Sequence, residues 1–275
     1  ATVYRVSGGS ALDGPVSDEE EGGSTAFSGV NAPAGVVFYY TIPEGSDSLH
    51  GSFTITNEKG EIVRAFADSA NPKYIGFPGG PGAEPVFPRK AGLNRFVWDQ
   101  RYAILPGVPT VFIEGSYEGH KAAPGKYTAT LKFGGSTQRH DFTILPDPRI
   151  KATIADYQDQ HEYLTRAENG VRDIHQAVLR MRVAKDQVSL LISVIGNDNR
   201  YAEAKKTAIL LQERMSTWED ALVQNKAKSN DDIINYINRL SADYIFLKGE
   251  LDVNIPYVTA GQKEQLNALD ASWKP

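Results

Sequence analysis

The chain contains no cysteine, so disulfides, thiolate nucleophiles and cysteine–zinc sites are excluded together. Export and a reducing compartment both accommodate that absence. Basic clusters are also missing, and the net charge is −5 at pH 7. Nucleic-acid binding is therefore not expected, because non-specific affinity comes from Lys and Arg neutralising phosphates. No apolar run is long enough to span a bilayer, so no membrane span is expected. The opening residues Ala1 to Arg5 lack the charged start, apolar core and cleavage site of a signal peptide. The sequence has no P-loop, dinucleotide fingerprint, His-Glu-x-x-His or nucleophile elbow. From these absences we expect no catalytic residues, no cofactor and no metal.

What is present is an ordinary globular composition, 41% hydrophobic and 23% charged over 275 residues, with two contrasting halves. Up to about Leu145, Gly and Pro punctuate short apolar runs. Val36 to Ile42 is β-branched and aromatic; Phe53 and Ile55 alternate with Ser52, Thr54 and Thr56. Asn57-Glu58-Lys59-Gly60 predicts a hairpin turn into Glu61 to Phe66. Phe96 and Trp98 share a strand face and are expected in a core with Tyr127 or Leu131. Tyr127, Ala129, Leu131 and Phe133 are again spaced by two. The pattern predicts an immunoglobulin-like antiparallel β-sandwich over residues 1–146. Two long loops interrupt it, from Asp68 to Gly92 and from Arg101 to Lys121; the second holds Val111-Phe112-Ile113, a candidate extra strand. Their apolar residues are expected to cover a sheet edge or pack on a neighbouring domain.

Beyond Pro146-Asp147-Pro148-Arg149 the period becomes helical, giving an antiparallel helical bundle over residues 147–275 and an α+β chain of two segregated domains. Ile174, Met181, Val188 and Ile195 follow one another at sevens, Val171 and Val178 likewise, and Gly196 ends the helix. Tyr201, Ala204, Ala208, Leu211, Met215, Trp218 and Leu222 mark a second helix, whose stripe is expected to be the most completely buried. A third opens at Ser229 and Asp232 and carries Ile233, Ile237, Leu240, Tyr244, Leu247 and Leu251 until Pro256. Thr259 and Gln262 cap a short fourth. Leu211, Met215, Ile237 and Val178 or Met181 are expected to touch.

Chemistry-bearing residues are few. Five histidines are scattered, with His161 and His175 on or near a helical seam, where packing is the usual role. Asp18-Glu19-Glu20-Glu21 reads as a solvated loop rather than a calcium site. Asp99, Glu114 and Glu118 would serve as a carboxylate pair for glycoside hydrolysis only if the fold brought two together. Tyr201, Trp218 and Tyr244 sit on helical seams and are expected in the core.

Gly92-Leu93-Asn94-Arg95-Phe96-Val97-Trp98-Asp99, followed by Pro124-Gly125-Lys126-Tyr127, resembles the flagellar-hook-capping type of immunoglobulin-like domain. With Asn31 to Gly35 and Asp147-Pro148-Arg149, the longer resemblance is to the C-terminal region of exported bacterial BNR/Asp-box (sortilin-like) β-propeller proteins, often labelled glycosyl hydrolases. It implies an upstream propeller, an exported location and a chain that is a fragment. No Asp-box occurs here, so the resemblance carries over no catalytic residue. The expected role is a structural or interaction module docking on its own propeller or another protein. The alternative is a glycan-binding or glycoside-hydrolase accessory domain, with Trp98, Asp99, Tyr102 and Tyr117 as its ligand-binding candidates.

Overall fold

The computed structural model describes residues 2–7, 34–46 and 48–273; the acidic run at 18–21 and the segment 31–33 lie outside them. The order is β1 (Thr2–Ser7), β2 (Val36–Ile42), β3 (Gly51–Asn57), β4 (Ile62–Ala67), β5 (Gly92–Trp98), β6 (Gly125–Phe133), β7 (Ser136–Ile144), then α1 (Ile154–Ile195), α2 (Ala202–Leu222), α3 (Leu240–Leu251) and α4 (Ala260–Trp273). The architecture is α+β, with two open antiparallel sheets ordered β1-β2-β5 and β4-β3-β6-β7.

Alternation builds the sheet core. Phe38 and Tyr40 of β2 and Phe96 and Trp98 of β5 meet Phe53 and Ile55 of β3, Tyr127 and Leu131 of β6 and Phe142 of β7. The rings pack edge-to-face, the arrangement their quadrupoles favour: Phe38 on Phe53 at 4.9 Å, Phe66 on Phe96 at 4.8 Å, Trp98 on Tyr127 at 6.0 Å. The hairpin at 57–60 forms, with Gly60 N–H donating to Asn57 O and Gly60 at φ 78°. Gly35, at φ 132°, lies so close to β5 that a Cβ there would sit 2.2 Å from the Trp98 carbonyl oxygen.

The first long loop serves the sheet core, and the second, whose Tyr102 also packs on that core, serves mainly the helices. Phe87 from the first is buried among the sheet residues. The second supplies Leu105, Val108, Val111, Ile113 and Tyr117 to a core shared with Leu164, Val171 and Ile174 of α1 and Tyr244, Ile245 and Leu247 of α3. Val111 to Ile113 is thus no strand; it buries apolar surface against helices instead. The helical core is consequently not built from residues 147–275 alone.

Thr153 caps α1 in a capping box with Asp156, and Gly196 closes it at φ 57°. At 42 residues α1 is roughly 63 Å long at 1.5 Å per residue, yet its fully buried residues all lie between Tyr157 and Val178. Gly170 lets α3 approach: a Cβ there would stand 2.5 Å from the Tyr244 ring. The third helix differs from expectation. Ser229 and Asp232 do form a capping box, but it opens only a 3₁₀ turn, Asn230–Ile234, and α3 starts at Leu240 and ends at Leu251, ahead of Pro256. Ile237 is therefore exposed, as is Leu211, so the two do not meet in a buried core as expected. Nor is the stripe of α2 the most buried: Leu211 and Trp218 are exposed, and only Ala208, Glu219 and Leu222 are buried. The deeply packed pair is α1 with α3.

Candidate functional site

Trp98 is fully buried, its indole N–H donating to Arg101 O at 2.9 Å, and cannot offer a face to a ligand. Tyr117 is buried in the helical core, against the ring of His175. Tyr102 stacks on His120 at 4.3 Å and 14°. Asp99 alone of the four is exposed; its Oδ1 accepts the Arg101 N–H at 3.0 Å, closing the turn after β5. The four do not form an aromatic groove, because alternation and loop packing turn Trp98 and Tyr117 inward.

The turn does bring two carboxylates to one cleft. Asp99 and Glu118 line a cavity of about 290 Å³ with Arg64, Gln100, Arg101 and Lys121, and Glu114 is not among its walls. Its cations are engaged. Arg64 donates to the Tyr102 carbonyl and to Glu84 at 2.7 Å; Arg101 donates to Gly119 O at 2.8 Å and Asp252 at 2.7 Å; Lys121 donates to Asn254 at 3.2 Å. Gln100 holds φ 62°, a left-handed backbone uncommon outside glycine.

Behind the cleft lies a buried polar junction. Glu168 of α1 accepts the His120 backbone N–H at 2.7 Å and lies 3.0 Å from His120 Nδ1, off the axis of a directed hydrogen bond. Arg172, one turn on, reaches the same carboxylate at 3.3 Å. Burial raises the Glu168 pKa, but His120 and Arg172 together outweigh it and hold the carboxyl below its usual range. His120 Nε2 is 2.8 Å from His161 Nδ1, one nitrogen donating and the other accepting. Burial, and then the neighbouring His120, lower the His161 pKa to about 4, so it is neutral at pH 7. Lys248 of α3 is also buried, its ammonium donating to Ser116 O at 3.0 Å and to the Glu118 carbonyl; burial lowers its pKa.

A histidine pair backed by a carboxylate is able to pass a proton. Here the cavity beside His161 measures about 30 Å³, room for a water but not a substrate. Each polar group instead fixes the 101–121 loop to α1 or α3. Among the described residues, no group of three His, Asp or Glu is arranged to hold a metal ion. His161 and Glu168 are seven apart on one helix face, a signal readable in the sequence. Their partner His120, in an irregular loop, gave none.

The far end of α1 and α2 is of another kind. Val183, Leu190, Leu191 and Val194 on α1, and Ile209, Leu210, Leu211 and Trp218 on α2, are each at least 40% exposed. Monomeric proteins seldom leave so many large apolar side chains uncovered together. Among the described residues no helix is long and apolar enough to cross a membrane. No protein-family model, curated protein or solved structure matches this chain.

Proposed function

We propose that this chain is a non-catalytic docking module of an exported protein, in which an immunoglobulin-like sandwich and a helical bundle hold the α1–α2 end out toward a protein partner. The upstream propeller suggested by the Trp98-Asp99 and Pro124-Gly125-Lys126-Tyr127 segments is one such partner, another protein the second. The observation that carries the reading is the exposed apolar set at the α1–α2 end, Val183 to Val194 and Ile209 to Trp218. The polar residues that resemble catalytic groups are spent on holding a loop; of the aromatic candidates for sugar stacking, Trp98 and Tyr117 are buried and the half-buried Tyr102 is stacked on His120. A glycan reading is left with the Asp99–Glu118 cleft and no aromatic platform among the candidates.

The test is site-specific photocrosslinking in cells that make the full-length protein. The probe replaces Leu190 or Leu211, with Ile237, which is 82% exposed away from this end, as control. A discrete cross-linked band from Leu190 or Leu211 and none from Ile237 is expected. Equal, background-level labelling at all three positions would sink the docking reading.

A further inference from the structure

The apolar residues of distal α1 form a strip with its own geometry. Taking 100° per residue, Val183, Ala184, Gln187, Leu190, Leu191 and Val194 cluster on the side of the helix opposite the one that Val171, Ile174 and Val178 bury. The pairs 183/190, 184/191 and 187/194 are each seven apart, the a/d-type spacing of a coiled-coil seam. α2 does not cover this strip: Val183 is 59% exposed, Leu190 65%, Leu191 51% and Val194 76%.

Resting on the docking reading above, we propose that the strip pairs with the same strip of a second copy of this chain, antiparallel about a two-fold axis. Three observations favour a second copy over a different protein. None of the six strip residues is charged, so self-pairing meets no like-charge conflict and a partner of opposite charge finds nothing to read. An antiparallel register sets Val183 against Val194 of the second copy and Leu190 against Gln187, so one strip satisfies both sides, as an isologous interface requires. The four exposed apolar side chains offer on the order of 500 Å² per copy, so a pair buries roughly 1,000 Å² in total, the lower bound for a specific interface. The pair is concentration-dependent at this size, and it leaves Leu211 on α2 free for another protein.

Sedimentation of the purified chain over a dilution series tests the pairing. A reversible monomer–dimer equilibrium is expected; Leu190→Glu with Val194→Glu should weaken it at least tenfold, and Ile237→Glu should not. Because the chain has no cysteine, Val183→Cys with Val194→Cys adds a second readout: oxidation should yield a covalent dimer, and Leu93→Cys, 68% exposed on β5, should not. A monomer at every concentration, or open-ended larger species, overturns the pairing. If that monomer still cross-links to another protein through Leu190 or Leu211, the docking reading stands without it; if neither is found, both fall.

Discussion

Trp98→Ala lowers the unfolding free energy by about 3–5 kcal/mol, the loss expected when a fully buried aromatic is cut back and its cavity only partly collapses. The ring is held edge-on by Tyr127 at 6.0 Å and Phe142 at 6.1 Å, so both neighbours lose contact. Its N–H also ties down Arg101 O, at the start of the loop that enters the helical core. Trp98→Phe keeps most of the buried area and loses the hydrogen bond, and should fall between wild type and alanine. Denaturant unfolding of the three proteins measures this. An alanine variant with the wild-type midpoint would contradict the packing role of Trp98.

Glu168→Ala should cost a similar amount, about 3–5 kcal/mol, as removal of one member of a buried charged network does. The His120 N–H then has no acceptor, and Arg172 loses its carboxylate at 3.3 Å. Glu168→Gln keeps an acceptor oxygen without the charge and should lose less. Hydrogen exchange locates the damage: amides bonded across the loop, such as Tyr102 N–H to His120 O and Leu105 N–H to Tyr117 O, should exchange faster in the alanine variant. Unchanged protection there would mean that Glu168 does not anchor the loop.

Local chemistry made much of the architecture readable from residues alone. The hairpin at Asn57 to Gly60, the inward face of Phe96 and Trp98, and the capping boxes at Ser229 and Thr259 rest on near neighbours in the chain. Ile233, Ile237 and Leu240 have helical spacing, but a capping box fixes only the first turn, so the spacing extends the third helix beyond its real start at Leu240. Residues 235–239 leave the helix after that turn, and the Gln224 side chain takes up the Ile237 carbonyl at 2.9 Å. The stripe on α2 misled for another reason: a stripe shows which side is apolar, not whether anything covers it. The junction needed tertiary contact to appear, since His120 and Glu168 are 48 residues apart and Lys248 meets Ser116 across 132. Lys248 even occupies a helix whose flanking residues, Leu247 and Leu251, read as plain core.

The 101–121 loop binds sheets and helices into one structure, and its polar partners are consumed by that task. In a Trp218→Phe, Trp273→Phe background, Trp98 is the sole tryptophan and reports the sheet core, while far-ultraviolet ellipticity reports mainly the helices. Denaturant titration of this protein should give coincident transitions by the two probes, the mark of a single cooperative unit. Helical signal that melts well apart from the Trp98 emission change would show two separable cores and contradict the account.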